Sequence, residues 1–320
     1  GFGARWNGRL GANQTIKDNA MKNQSRLEIL AFTDPVCTWC WGSDPVLRKL
    51  ETWYGDAVSI RYVMGGLVED IRAFHDRVNG IGGDPERSNQ QIAQHWLEAS
   101  ERHGMPVRTA GFRLFSAEAV STYPQNIAFK AAELTNPALA APYLRRLREA
   151  SAAEARETGR QTVLIELASE LGLDLAAFIG HLQDGSAERA FREDLETTRR
   201  YGVRGFPTFA FCHGESETLL RGYQSFPAMQ AVIGMLSDGK LQGQAPQATP
   251  ENLLAFIRTY GRVAPVELST TFDLNSADVE KMLTEAARTG LVRRVDAGNG
   301  YFWELASSPV CDAESGVCTL

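Results

Sequence analysis

The residues best equipped for chemistry in this 320-residue chain are Cys37 and Cys40, spaced as C-T-W-C. A thiolate can attack a disulfide sulfur, and a second thiol three residues on can then displace the mixed disulfide, which moves two electrons. The pair follows an apolar run at 26–33 (RLEILAFT) and precedes residues at helical spacing, so Cys37 is expected at a helix N-terminus. Free N–H groups and a partial positive charge at that end lower a thiol's pKa. Cys37 is therefore the expected nucleophile and Cys40 the resolving thiol. Thr38 and Trp39 between them bring no cation, so only a moderate depression of the Cys37 pKa and a moderate potential are expected. Asp34 reads either as a turn residue before Pro35 or as a proton acceptor for the thiol; Trp39 and Trp41 flank the thiols, with core packing as the other reading of Trp41.

A second signature is GVRGFPTF at 202–209. Proline cannot donate to a strand ladder, so Pro207 fits only at the first position of a strand. A cis bond at Phe206-Pro207 would turn the Phe206 backbone toward a ligand, and an extended substrate would pair with it beside Cys37. Thr38, Trp39, Phe206 and Pro207 are thus the expected substrate contacts. Cys311 and Cys318, in the final SSPVCDAESGVCTL, read as a shuttle dithiol, as incidental thiols or as soft-metal ligands. No paired C-x-x-C spacing supports zinc, and no metal is expected. Cys212 lies in an apolar strand and reads as a buried inert thiol. The five histidines form no metal-binding spacing, and His95 beside Trp96 reads as helix surface or packing. Gly80 to Gly83 lacks the strand and lysine of a phosphate cradle and is read as a loop near the site.

Positioning the dithiol requires strand 26–33, a helix carrying Val46, Leu47, Leu50, Trp53 and Tyr54, and a strand at 58–64. Such a β-α-β pair is joined by a right-handed crossover. From 67 to 200 the periodicity is helical, marked by Trp96, Ala128, Leu144, Leu167 and Phe191. Strand pattern returns at 208–212, pairs with 217–221, and closes with a helix at 228–236. These elements give a leader or artificial extension at 1–20, with Met21 as the natural start, and an α/β domain carrying the dithiol from 21–66 and 201–237. The helical insertion fills 67–200, a Gly/Gln/Pro-rich linker spans 238–250, and a Cys-containing tail occupies 307–320. Residues 251–306 read as three helices and a hairpin, a winged-helix-like α+β domain, with Asn275 opening the third helix as a cap.

DPVCTWCWG at 34–42, VMGGL at 63–67 and GVRGFPTF at 202–209 resemble the DsbA-like branch of the thioredoxin superfamily, and more narrowly its FrnE-type cytoplasmic proteins. The resemblance covers roughly 27–237. It implies an α/β thioredoxin fold with a large helical insertion, a redox dithiol at Cys37 and Cys40, and a cis proline at Pro207. GST-kappa-like relatives usually lack the second cysteine, so its presence favours dithiol exchange over glutathione chemistry.

Composition sets the outer limits. Hydrophobic residues are 43% and charged residues 22%, which excludes disorder and collagen-like repeats. No apolar run is long enough to span a bilayer. The net charge of −6 disfavours a general polyanion binder, and the would-be recognition helix carries Asp278, Glu280 and Glu285, so nucleic acid is not expected as a partner. Packing or homodimerisation is expected of the C-terminal unit instead. No export signal is read, which makes the cytoplasm the expected compartment and favours a catalytic dithiol. The resulting expectation is a cytoplasmic thiol-disulfide oxidoreductase without cofactor, exchanging electrons with protein or small-molecule thiols and disulfides. Two alternatives remain: a non-catalytic adaptor of the same fold that binds a regulator or protease, and a redox-sensing DNA-binding protein.

Overall fold

The computed structural model describes residues 26–306 and, as backbone, 310–311 and 318–319. The expected leader at 1–20 and the side chains of the expected shuttle, Cys311 and Cys318, lie outside the described residues; the two short strands there pair antiparallel with Cys318 opposite Cys311.

Strand β1 (Leu27–Thr33) leads into helix α1 (Thr38–Tyr54), which returns to β2 (Val58–Met64), parallel to β1. The insertion opens with a short hairpin, β3 (His75–Asp76) and β4 (Ile81–Gly82), and helix α2 (Pro85–His103). Helices α3 (Tyr123–Thr135), α4 (Pro137–Arg148), α5 (Gln161–Glu170), α6 (Leu175–Gln183) and α7 (Ser186–Arg200) follow, with a π-helical turn at Glu149–Ala153 after α4. The chain then re-enters the sheet with β5 (Thr208–His213) and β6 (Ser216–Arg221) and closes it with α8 (Phe226–Leu236). The sheet order is β2-β1-β5-β6, with β5 antiparallel to both β1 and β6. This is the expected thioredoxin fold with a helical insertion.

Burial explains the unbroken apolar run of β1. Leu27, Ile29 and Ala31 pack with Leu47, Leu50, Phe211 and Ile233, while Leu30 and Phe32 pack with Val63 and Ala210. A strand covered on both faces loses its alternation. Helix α6 is not among the expected elements, although Leu175, Phe178, Ile179 and Leu182 stand at i, i+3, i+4 and i+7 and pack on the core of the insertion.

The C-terminal unit comprises α9 (Pro250–Tyr260), α10 (Pro265–Phe272), α11 (Ser276–Arg288) and the hairpin β7 (Val292–Ala297) with β8 (Gly300–Leu305). Asn275 caps α11 by accepting from the Asp278 N–H at 2.9 Å. The unit has its own core around Leu253, Ile257, Leu268, Leu283 and Trp303. It also packs on the rest of its own chain. Trp53 Nε1 donates to the Thr271 carbonyl at 2.8 Å, and the Val107 N–H donates to Asn299 Oδ1 at 2.8 Å. Gly298 is required at the hairpin turn: it has φ +57° and comes so close to α2's exit that a Cβ there would sit 2.0 Å from the Val107 carbonyl oxygen. The 238–250 stretch has no helix or strand before Pro250, yet it is strapped to α1 rather than free, with the Gln244 N–H donating to the Trp53 carbonyl at 2.8 Å.

Candidate functional site

Helix α1 begins earlier than its apolar spacing suggests and takes in the dithiol itself. Cys37 is its N-cap, and Cys37 Sγ accepts the Cys40 N–H at 3.2 Å. Both thiols are free and buried, Cys37 at 7% exposure and Cys40 at 1%. Cys37 Sγ also lies 3.7 Å from the Phe206 carbonyl, an acceptor for its S–H. The Phe206–Pro207 peptide is cis. Gly65 and Gly66 of the VMGGL segment make room here: a Cβ on Gly65 would fall 2.0 Å from the Phe206 ring, and Gly66 has φ +64°.

The electrostatics depart from the expectation of an acidified Cys37. Burial pushes the Cys37 thiol well above the usual cysteine range, and the Cys40 sulfur and the Asp34 carboxyl push it further. The Cys40 N–H at the helix start pulls it the other way, but by less than burial pushes it up. Burial also raises Cys40, but the hydrogen bond with Cys37, the Arg148 charge and the Thr33 hydroxyl together bring it below its ordinary value. The more acidic sulfur is thus the one that solvent barely reaches.

Asp34 opens the turn through Pro35, its carbonyl accepting the Cys37 N–H at 3.2 Å, and it is fully buried. Its carboxylate accepts from the Leu67 N–H at 2.7 Å, the Val36 N–H at 3.0 Å, Asn126 Nδ2 at 2.8 Å and Thr122 Oγ1 at 3.0 Å. Burial nevertheless raises its pKa. It pins the end of β1 to the start of α3. Trp41 is core, at 1% exposure; its Nε1 donates to the Pro106 carbonyl at 3.0 Å, and its ring meets Phe302 of β8.

A cleft of about 450 Å³ opens beside the dithiol. Cys37, Thr38, Trp39 and Phe206 line it together, with Ile71, Phe74 and Trp96 as apolar wall. Pro207 is buried in a crevice with Cys40 and Arg148 instead. The glycine-rich stretch at 80–83 forms the rim through β4, and Ile81 lines the cleft.

Two histidines were missed as site residues. His95 lines the cleft and meets the Trp39 ring edge-on at 6.2 Å. His103 is 2% exposed, approaches Thr38 Oγ1 through Nε2 at 3.4 Å, and accepts the Met105 N–H at Nδ1 at 3.1 Å. A ring that accepts at Nδ1 is neutral, and burial pushes its pKa down to about 4. Arg148 was also missed. No local motif marks any of the three, because each reaches the site from a distant helix.

Cys212 is half-buried rather than core, with its sulfur 3.7 Å from Glu217 Oε2; burial and that carboxylate raise its pKa. Among the described residues no group of three or more His, Cys, Asp or Glu is placed to hold a metal ion. Among the same residues no helix is long and apolar enough to cross a membrane.

Comparison with known proteins adds three findings. A family model described as thioredoxin matches residues 30–230. A curated relative from Halalkalibacterium halodurans, named ClpXP adapter protein SpxH, is 29% identical over 289 residues, covering 89% of this chain and 91% of its own. One of the same name from Shouchella clausii is 29% identical over 292 residues, covering 90% and 91%. A solved structure described as a candidate protein disulfide isomerase from Nitrosomonas europaea aligns with a TM-score of 0.57 at 20% identity, covering 67% of this chain and 99% of that one. That likeness shows the fold. The relatives' names overturn the expectation of a thiol-disulfide oxidoreductase: proteins similar along nine-tenths of the chain are adapters, whereas the disulfide isomerase fold accounts for two-thirds of it.

Proposed function

Because the chain belongs to the thioredoxin family, we propose that it uses the family fold as a binding scaffold and acts as a non-catalytic adapter that brings another protein to ClpXP. The observation that carries this reading is coverage. The relatives named as ClpXP adapters align across 89% to 90% of the chain, so the similarity extends past residue 230 into the unit beyond the thioredoxin match. The state of the dithiol agrees with it. Exchange needs a thiolate that a substrate can reach. Here both sulfurs are buried, Cys37 at 7% exposure and Cys40 at 1%.

In this reading the cleft beside Cys37 receives a segment of the protein being delivered. Trp39 and Phe206 would be its contacts, and the two cysteines would hold the shape of the helix start rather than transfer electrons.

The test compares wild type with the Cys37→Ser/Cys40→Ser double variant. Surface plasmon resonance measures binding to purified ClpXP, and insulin reduction is followed in parallel. Both proteins are expected to bind with the same affinity and to reduce insulin no faster than the buffer control. Absence of ClpXP binding, or insulin turnover that the double variant abolishes, would overturn the reading.

A further inference from the structure

The two edges of the central sheet differ. β2, at one end of the order β2-β1-β5-β6, packs against α7, and its Met64 N–H donates to Asp194 of that helix at 2.8 Å. β6, at the other end, has no strand on its outer side among the described residues. Exposed edges are ordinarily guarded by proline, lysine or a bulge. β6 reads SETLLR, carries neither proline nor lysine, and pairs with β5 in unbroken register.

That register shows which groups of β6 remain free. Thr208 stands opposite Arg221, and one step further the Gly222 N–H donates to the Pro207 carbonyl at 2.8 Å. Bonded and non-bonded pairs alternate along an antiparallel ladder. Ser216, Thr218 and Leu220 therefore bond to β5, while Glu217, Leu219 and Arg221 turn their N–H and C=O groups outward. At a period of two, the side chains of these same three residues share one face of the sheet.

A second β6 laid antiparallel and centred on Leu219 satisfies all of these outward groups at once. Leu219 meets its own counterpart, Glu217 meets Arg221 of the second copy, and Arg221 meets its Glu217. A shift of two residues either way would set Leu219 against a charge. Both charged residues are exposed, and neither forms an ion pair among the described residues; Glu217 Oε2 lies 3.7 Å from Cys212 Sγ. On the opposite face Leu220 packs under α8. That helix, FPAMQAVIGML, has no charged residue, and its Pro227, Ala231 and Met235, at i, i+4 and i+8, are exposed, Met235 at 59%. Antiparallel pairing about a two-fold axis places both copies of α8 on the same face of the joined sheet.

We propose that β6 is a homodimerisation edge, through which two copies of the chain join their four-stranded sheets into one continuous sheet. Opposite charges at equal distances from Leu219 make the edge complementary to itself, whereas like charges there would repel a second copy. The pairing uses neither Trp39 nor Phe206 and holds whether or not the chain is an adapter.

The test is sedimentation equilibrium of the full chain over a range of concentrations, with hydrogen exchange followed at the two extremes. Wild type is expected to form a dimer of twice 35.2 kDa. Glu217→Arg and Arg221→Glu should each weaken it roughly tenfold, because each turns both cross-strand ion pairs into like-charge pairs. The double reversal, Glu217→Arg with Arg221→Glu, should restore it. The amides of Glu217, Leu219 and Arg221 should exchange more slowly in the dimer. A chain that stays monomeric at about 100 μM, a dimer indifferent to the single reversals, a double reversal that restores nothing, or protection confined to residues 251–306 would each overturn the proposal.

Discussion

Replacing Glu267 by Gln probes the joint between the thioredoxin part and the C-terminal unit. Glu267 is 0% exposed and sits on α10, where it meets two guanidiniums from outside its unit: Arg48 of α1 at 2.5 Å and Arg145 of α4 at 2.9 Å. Its Oε2 also accepts the Ala264 N–H at 2.7 Å, which caps its own helix. Glu267→Gln keeps the shape and one acceptor but removes the charge. Arg48 and Arg145 would then share Asp44 and Glu149, with Glu51 also near Arg48. Removing one partner of a buried pair costs about 3–5 kcal/mol because the remaining charge stays desolvated. Unfolding entropy of about 2.1 cal/mol/K per residue converts that into a Tm lower by roughly 5–8 °C for a chain of this size. Scanning calorimetry of wild type, Glu267→Gln and the surface control Glu285→Gln measures it. Glu285 pairs with Arg288 at 66% exposure and should change Tm by less than about 1 °C. If Glu267→Gln also melted within about 1 °C of wild type, the buried cluster would not be what holds the unit in place.

Acid should weaken the fold through His103. Its folded pKa of about 4 lies below the ordinary 6.5, so its contribution is complete above pH 6.5 and is lost as pH falls through about 4. The loss approaches about 3 kcal/mol. Urea midpoints at pH 7 and pH 4 should fall less in His103→Gln than in wild type, and equal falls would count against the neutral buried ring. Cys37 should react with iodoacetamide more slowly at pH 7 than a free thiol, with its rate still rising above pH 9. Mass mapping separates it from Cys212, and a rate plateau near pH 7 would contradict the burial argument.

Much of the sheet was legible in the sequence because its period signals are local. Residues 58–64 and 208–212 carry short β-rich runs bounded by Gly, Asp and Pro, and the structure places β2 and β5 there. The dithiol, its place at a helix start and Phe206 beside it were likewise readable from C-x-x-C and G-x-P-T. The state of the thiols was not. It depends on Asp34 being sealed by Thr122 and Asn126 and on Arg148 arriving from α4, none of which any spacing announces. Helix α1 shows the same limit. Asp44, Arg48 and Lys49 are charged yet all three are buried, because Glu267 and Asp273 reach the two cations from beyond residue 250 and Arg145 and Arg148 reach Asp44 from α4.

That burial connects the fold to the functional reading. In a dithiol enzyme the first helix must leave its N-terminal sulfur open to a partner and acidified by the charges around it. Here the cations near the start of α1 are committed elsewhere. Arg148 binds Asp44 at 2.5 Å and Thr33 Oγ1 at 2.6 Å, Asp44 also holds Arg145 at 3.2 Å, and Arg145 holds Glu267. The chain of charges runs from the buried Cys40 side of the dithiol outward to α10 of the C-terminal unit, not toward Cys37. Arg148 is the member of that chain that bears on the dithiol, more on Cys40, which solvent barely reaches, than on Cys37. The arrangement favours a rigid joint between two units over a reactive sulfur. A rigid two-unit body with one apolar cleft at Trp39 and Phe206 is what an adapter needs to hold one protein while presenting it to another.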